Sequence, residues 1–164
     1  MAGWSSPLGR RRSRQTEPMS APEQFVTRTV ASGIRFGEGP RWHDGQLWFS
    51  DFFDHAIKTL EPDGSLTVRH ELDDRPSGLG WMPDGSLLVV AMTSRSVRRI
   101  APDGTQSLHA DLGHIATFHC NDMVVDHLGR AYVGNFGFDL DAAITGGDFA
   151  GELARYSEIG RAHV

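Results

Sequence analysis

The chain has a single cysteine, Cys120, so no disulfide can close within it, and a reducing, cytoplasmic compartment is the expectation. It has no apolar run approaching the roughly 20 residues that a helix needs to cross a bilayer, so no membrane partner is expected. Positive charge is in the minority: 16 Lys and Arg stand against 21 Asp and Glu, for a net charge of −5, which argues against a nucleic-acid partner. A nucleophile elbow, a phosphate loop and a dinucleotide fingerprint are all missing. His43, His55, His109, His114 and His119 do not fall at zinc-ligand spacings.

What the chain does have is glycine. Nineteen glycines and eight prolines separate short apolar runs across 164 residues, a pattern of tight turns between strands in one all-β domain. Turn signals fall at His43-Asp44-Gly45, Pro62-Asp63-Gly64, Pro83-Asp84-Gly85, Pro102-Asp103-Gly104 and His127-Leu128-Gly129. Taken alternately, Gly45 to Gly85 and Gly64 to Gly104 are each 40 residues, and Gly85 to Gly129 is 44. The flanks repeat as well, Gly45-Gln46-Leu47-Trp48-Phe49 resembling Gly85-Ser86-Leu87-Leu88-Val89 and Gly129-Arg130-Ala131-Tyr132-Val133. About four short strands in about 40 residues is the unit of a β-propeller blade, and the fold expected is an incomplete propeller of about two and a half to three blades. A β-sandwich with accidental spacing is the alternative.

Within that repeat, Glu38 lies seven residues before Gly45, Ser77 eight before Gly85 and Asn121 eight before Gly129. Propeller blades surround a central channel, so equivalent positions at the openings of inner strands converge on one mouth. Glu38 is set between two glycines with its carboxylate free to point at a ligand, and is the first functional candidate. A carboxylate, a hydroxyl and a carboxamide all offer oxygen, which suits a hard cation such as calcium or magnesium. Ser77 is read as a turn residue more than a ligand, and Asn121 as a site residue or a turn cap. Cys120 reads as a small buried apolar residue and not as a nucleophile. Trp42, Trp48, Trp81 and Phe49 are expected to pack between blades. Asp51 and Asp122 are read as turn residues or supports for the site. Asp139, Asp141 and Asp148 are placed in a glycine-bearing loop over the channel mouth.

Two motifs carry a family resemblance. Phe36-Gly37-Glu38-Gly39-Pro40-Arg41-Trp42 with Phe49-Ser50-Asp51, and His119-Cys120-Asn121-Asp122-Met123-Val124-Val125-Asp126 followed by Gly129-Arg130-Ala131-Tyr132-Val133-Gly134-Asn135, resemble the SMP-30/gluconolactonase/luciferin-regenerating family over about residues 25–156. The resemblance implies a six-bladed propeller and a lactone hydrolase acting on a small-molecule sugar lactone or related ester. It also implies one divalent cation, calcium first, with zinc, magnesium or manganese as alternatives. Carried over by motif, Glu38 is the metal ligand, and Asn121 and His119 are substrate-binding. The remaining ligands and the general base belong to later blades of the family, so no catalytic residue is assigned here, and the part by itself is expected to be unstable and inactive. A non-catalytic binding scaffold and a strictosidine-synthase-like propeller are the alternative functions.

Three segments are expected. Residues 1–24, with Arg10, Arg11, Arg12 and Arg14 among Ser, Pro and Gly, read as a disordered basic tail. The polar stretch after the arginines does not fit an export signal, and Met19 is an alternative start. Residues 25–157 read as the partial propeller. Residues 158–164 read as translated sequencing-adapter sequence. The oligomeric state is left open.

Overall fold

The structure, a computed structural model, describes residues 25–146 and the strand at 161–163. The expected basic tail, the alternative start at Met19, and Asp148 lie outside the described residues. So do positions 158–160 and 164 of the last segment.

Eleven described strands build three antiparallel sheets. The first joins β1 (Gly37–His43), β2 (Gln46–Asp51), β3 (Ala56–Leu60) and β4 (Leu66–Glu71) in chain order. The second repeats that meander with β5 (Pro76–Trp81), β6 (Leu87–Ala91), β7 (Ser96–Ile100) and β8 (Gln106–Asp111). In the third, β10 (Ala131–Asn135) lies between β9 (Cys120–Val125) and β11 (Arg161–His163), and a short helix α1 (Leu140–Gly146) follows β10. Each four-strand sheet is one blade, as the turn spacing predicts. All five turn glycines hold φ between 78° and 88°, the left-handed region that a side chain disfavours, which is why glycine marks the period.

β5 packs against β1 on one side and β9 on the other, so the first strand of each unit is the innermost. Blade 2 is therefore sandwiched, and β6 is buried along its whole length. Leu88, Val90, Met92 and Val97 pack with Cys120, Met123, Ala131 and Val133 to fill the space between blades 2 and 3. Ile57, Leu79, Leu87, Val89 and Ile100 fill the space between blades 1 and 2, with Trp48 and Trp81 against them. The inner strands approach closely at Gly78, where a Cβ would stand 2.2 Å from the Met123 backbone nitrogen.

Two expectations need correction here. Trp42 does not pack between blades: it is 75% exposed. It pairs with Leu47 as Trp81 pairs with Leu87, so it takes the position of Trp81 one blade earlier and faces the side of blade 1 where no described sheet stands. Trp48 and Trp81 do meet between blades, with rings 5.3 Å apart and His43 stacked on Trp81 at 3.8 Å. The second correction is α1, which replaces the loop expected around Asp139 and Asp141. The Asp139 carboxylate accepts from the Ala142 backbone N–H at 2.9 Å, capping the first turn, while Leu140 and Ala143 turn inward.

Candidate functional site at the channel mouth

The three inner strands each slip register where a candidate side chain sits. The slip falls between Glu38 and Arg41 on β1, between Pro76 and Leu79 on β5, and opposite Val133 and Asn135 on the β9 side of the third sheet. Gly37, Pro76 and Cys120 hold the same ladder position, opposite Asp51, Ala91 and Asn135 respectively. Glu38, Ser77 and Asn121 come next and are therefore structural equivalents. An extra residue in one strand of a pair re-aims the side chains beside it, and here the three are brought together. Ser77 Oγ lies 3.1 Å from Asn121 Oδ1, and its hydroxyl also reaches the Glu38 carboxyl. Ser77 is inside a strand and 1% exposed, so its reading as a turn residue is corrected.

Supports below fix this arrangement. Ser50 Oγ donates to the Ser77 carbonyl at 2.6 Å, tying β2 to β5. Asp51 is fully buried, and its Oδ1 accepts from the Phe36 backbone N–H at 2.8 Å, holding the segment that enters β1. Arg41, which sequence reasoning passed over, reaches across the inner strands. Its Nε donates to the Leu79 carbonyl at 3.1 Å, and its Nη2 to the Met123 carbonyl at 2.6 Å and Asp122 Oδ1 at 3.2 Å. One guanidinium thus ties all three described blades, and the only available signal was a cation three residues after Glu38.

Burial pushes the Glu38 carboxyl above its usual range. The Ser77 hydrogen bond pulls the other way, and the Asp122 charge adds to the rise. Glu38 Oε1 is buried with no hydrogen-bond partner among the described residues. A buried carboxylate oxygen left unpaired is costly, and a hard cation relieves that cost through oxygen ligands. The Asn121 carboxamide oxygen is the next donor, so these residues fit one side of such a site. Among the described residues no three His, Cys, Asp or Glu side chains converge as a metal cluster. Burial pushes the Cys120 thiol up to about 11, against the opposing charge of Arg95, which keeps it protonated and inert as expected.

Glu38 and Asn121 open into one cavity of about 520 Å³, walled by Phe36, Phe52, Phe53 and Phe136 and by Leu140 and Ile144 of α1. His119 is half-buried on the segment entering β9, outside that wall. Its Nδ1 is buried without a partner among the described residues, and its carbonyl accepts from the Phe136 backbone N–H at 3.0 Å. Asp141 Oδ1 pairs with Arg75 Nη1 at 3.0 Å. The phenylalanines of the wall gave no periodic signal in the sequence, because Phe36 and Phe136 stand in irregular segments and Phe52 and Phe53 in a single 3₁₀ turn.

Four-stranded antiparallel meanders packed around converging inner strands define a β-propeller. Residues 36–164 match the SMP-30/Gluconolactonase/LRE-like region, and the chain belongs to that family. Among solved structures, a gluconolactonase from Xanthomonas campestris superposes with a TM-score of 0.58 at 22% identity, over 67% of this chain and 38% of its own. Regucalcin, a calcium-binding protein from Agrobacterium tumefaciens, gives 0.52 at 23% identity over 63% and 36%. These likenesses show the fold. A virginiamycin B lyase from Nocardia farcinica is 34% identical over 61 residues, which is 37% of this chain and 22% of that protein. The chain therefore spans well under half the length of the relatives it matches.

Proposed function

We propose that this chain supplies the first part of a lactonase-type hydrolase site, with Glu38 as a ligand to a divalent cation and Asn121 and His119 as contacts to a small lactone or ester. The observation that carries the reading is the buried, unpartnered Glu38 Oε1, which lines the same cavity as Asn121. Family membership supports it, as do a gluconolactonase and a calcium-binding protein among the structural relatives. Calcium is the first choice of cation, because the donors at hand are oxygens, with magnesium, manganese or zinc as alternatives.

A divalent cation, when bound, polarises an ester carbonyl and makes a bound water a stronger nucleophile. Glu38 acts as an anchored anion, its direction set by the register slip and by Ser77. Asn121 presents a carboxamide whose N–H groups can donate to a substrate oxygen. His119, whose Nδ1 is buried outside the cavity wall, is carried by its place in the family motif alone. The phenylalanine wall offers an apolar surface beside Glu38 and Asn121. The general base is assigned to later blades of the family and to no described side chain.

Calcium titrated against thermal unfolding of the complete protein, with its later blades, tests this. Saturating calcium should stabilise the protein by about 3 kcal/mol at a hundred times its Kd. Glu38→Gln should abolish that response while raising the cation-free Tm, since a desolvated charge is removed. In the same variant, hydrolysis of a lactone followed by pH-stat should fall by about a hundredfold. Undiminished hydrolysis in Glu38→Gln would remove the metal assignment. A parent indifferent to every divalent cation would leave a non-catalytic binding scaffold.

A further inference from the structure

The wall of the cavity is unlike its floor. The only polar residues of the lining are Glu38 and Asn121, both linked to Ser77, while four phenylalanines, Met92, and Leu140 and Ile144 of α1 form the rest. The aromatic part is held in place: Phe36 and Phe52 lie 5.6 Å apart, and Phe53 meets Phe52 edge-on at 4.5 Å. Arg75 covers the far side, its guanidinium 5.2 Å from the Phe52 ring and 3.0 Å from Asp141 on α1, so the helix is fastened to the same cluster. Phe53 remains 47% and Ile144 60% exposed, which leaves apolar surface free for an occupant. The volume, about 520 Å³, is that of a site for a small organic molecule.

A sugar lactone carries a hydroxyl on nearly every carbon, and each one buried against phenylalanine would lose a hydrogen bond to water and gain none. We propose that the ligand of this mouth is amphipathic: a lactone or ester whose carbonyl lies at Glu38 and Asn121 and whose remainder is an apolar ring or acyl chain lying on Phe53, Phe136 and Ile144. The carbonyl half of this rests on the hydrolase reading above, and the apolar half rests on the wall alone. In hydrolysis, water adds its oxygen to the acyl carbon and the acyl C–O bond breaks. The alkoxide takes one proton, and a hydroxy acid leaves.

Dihydrocoumarin and glucono-1,5-lactone are both six-membered lactones, one fused to a benzene ring and the other hydroxylated, and they form the test pair. With the intact protein, kcat/KM should favour dihydrocoumarin, and Phe53→Ser combined with Ile144→Ser should lower the ratio of the two values by about tenfold. Both positions are partly exposed, so the fold tolerates the change. Dihydrocoumarin binding is then measured calorimetrically in Glu38→Gln, where turnover is suppressed. Binding should persist there and weaken by about tenfold when Phe53→Ser is added. A parent that prefers the sugar lactone, with a ratio unmoved by the double change, overturns the proposal. So does a Glu38→Gln protein that fails to bind dihydrocoumarin. Binding of dihydrocoumarin without turnover of either lactone would remove the hydrolase reading and leave the apolar site standing.

Discussion

In blade 1 the segment entering the inner strand is gripped from the far end of β2: Asp51 accepts from the Arg35 and Phe36 backbone N–H groups and pairs with buried Lys58 at 2.8 Å. In blade 2 the same segment is gripped from within. Asp74, two residues before β5, accepts from the backbone N–H groups of Arg75, Thr93 and Ser94, and Ala91 stands where blade 1 has Asp51. Both devices place one buried carboxylate under the approach to a channel-mouth side chain. They differ in what they leave behind when broken. Blade 1 would retain a buried ammonium, whereas blade 2 would retain only amides and hydroxyls.

That difference sets the order of expected effects. Asp51→Ala should cost about 4 kcal/mol in urea unfolding, because Lys58 keeps only the half-exposed Asp54 and two backbone donors lose their acceptor. A loss under 1 kcal/mol would mean that the ammonium escapes to water and the comparison fails. Gly78→Ala should follow at about 3 kcal/mol, since the new methyl would meet the Met123 backbone, which cannot swing aside. Asp74→Ala should cost about 2 kcal/mol, the scale of unpaired amides without an unpaired charge. Trp42→Ser should change stability by less than about 0.5 kcal/mol, because the ring already faces solvent.

Acid sharpens the same contrast. Burial alone would push the Asp51 carboxyl up, but hydrogen bonds from Lys58 and from the Phe36 and Arg35 N–H groups outweigh it and hold it below the usual range. Asp74 is likewise pushed up by burial and held down by the Ser94 and Thr93 hydrogen bonds. A carboxyl whose pKa is lower folded than unfolded contributes stability above its unfolded value, and loses it as pH falls through the folded one. The protein should therefore lose stability below about pH 4, and each alanine variant should show a shallower acid limb than the parent.

The propeller repeat was legible because its turns demand glycine with positive φ, and five such glycines recur at fixed intervals. The equivalence of Glu38, Ser77 and Asn121 was legible for the same reason, since counting back from a turn glycine counts along a strand. Asp51 and Asp74 show where that legibility stops. They do one job from different places in the repeat, so no alignment of one unit on the next pairs them. Trp42 was misread because its neighbourhood depends on which sheet stands beside blade 1, which a repeat cannot state. Helix α1 was missed because seven residues give little periodicity, although Asp139 at its cap and Gly146 at its end are the usual marks of a helix start and stop.

The register slips at the heads of β1, β5 and β9 have a consequence for how new chemistry could be written into this scaffold. The ladder resumes within a few residues of each slip, so Ser77 and Asn121 are delivered to the mouth from outside the ladder, while Glu38, paired with Ser50, stands at the edge of its slip. Carboxylate, hydroxyl and carboxamide already occupy that one address in three copies. The address behaves as an interchangeable socket, and a different trio of side chains fitted there would present different chemistry on an unchanged frame.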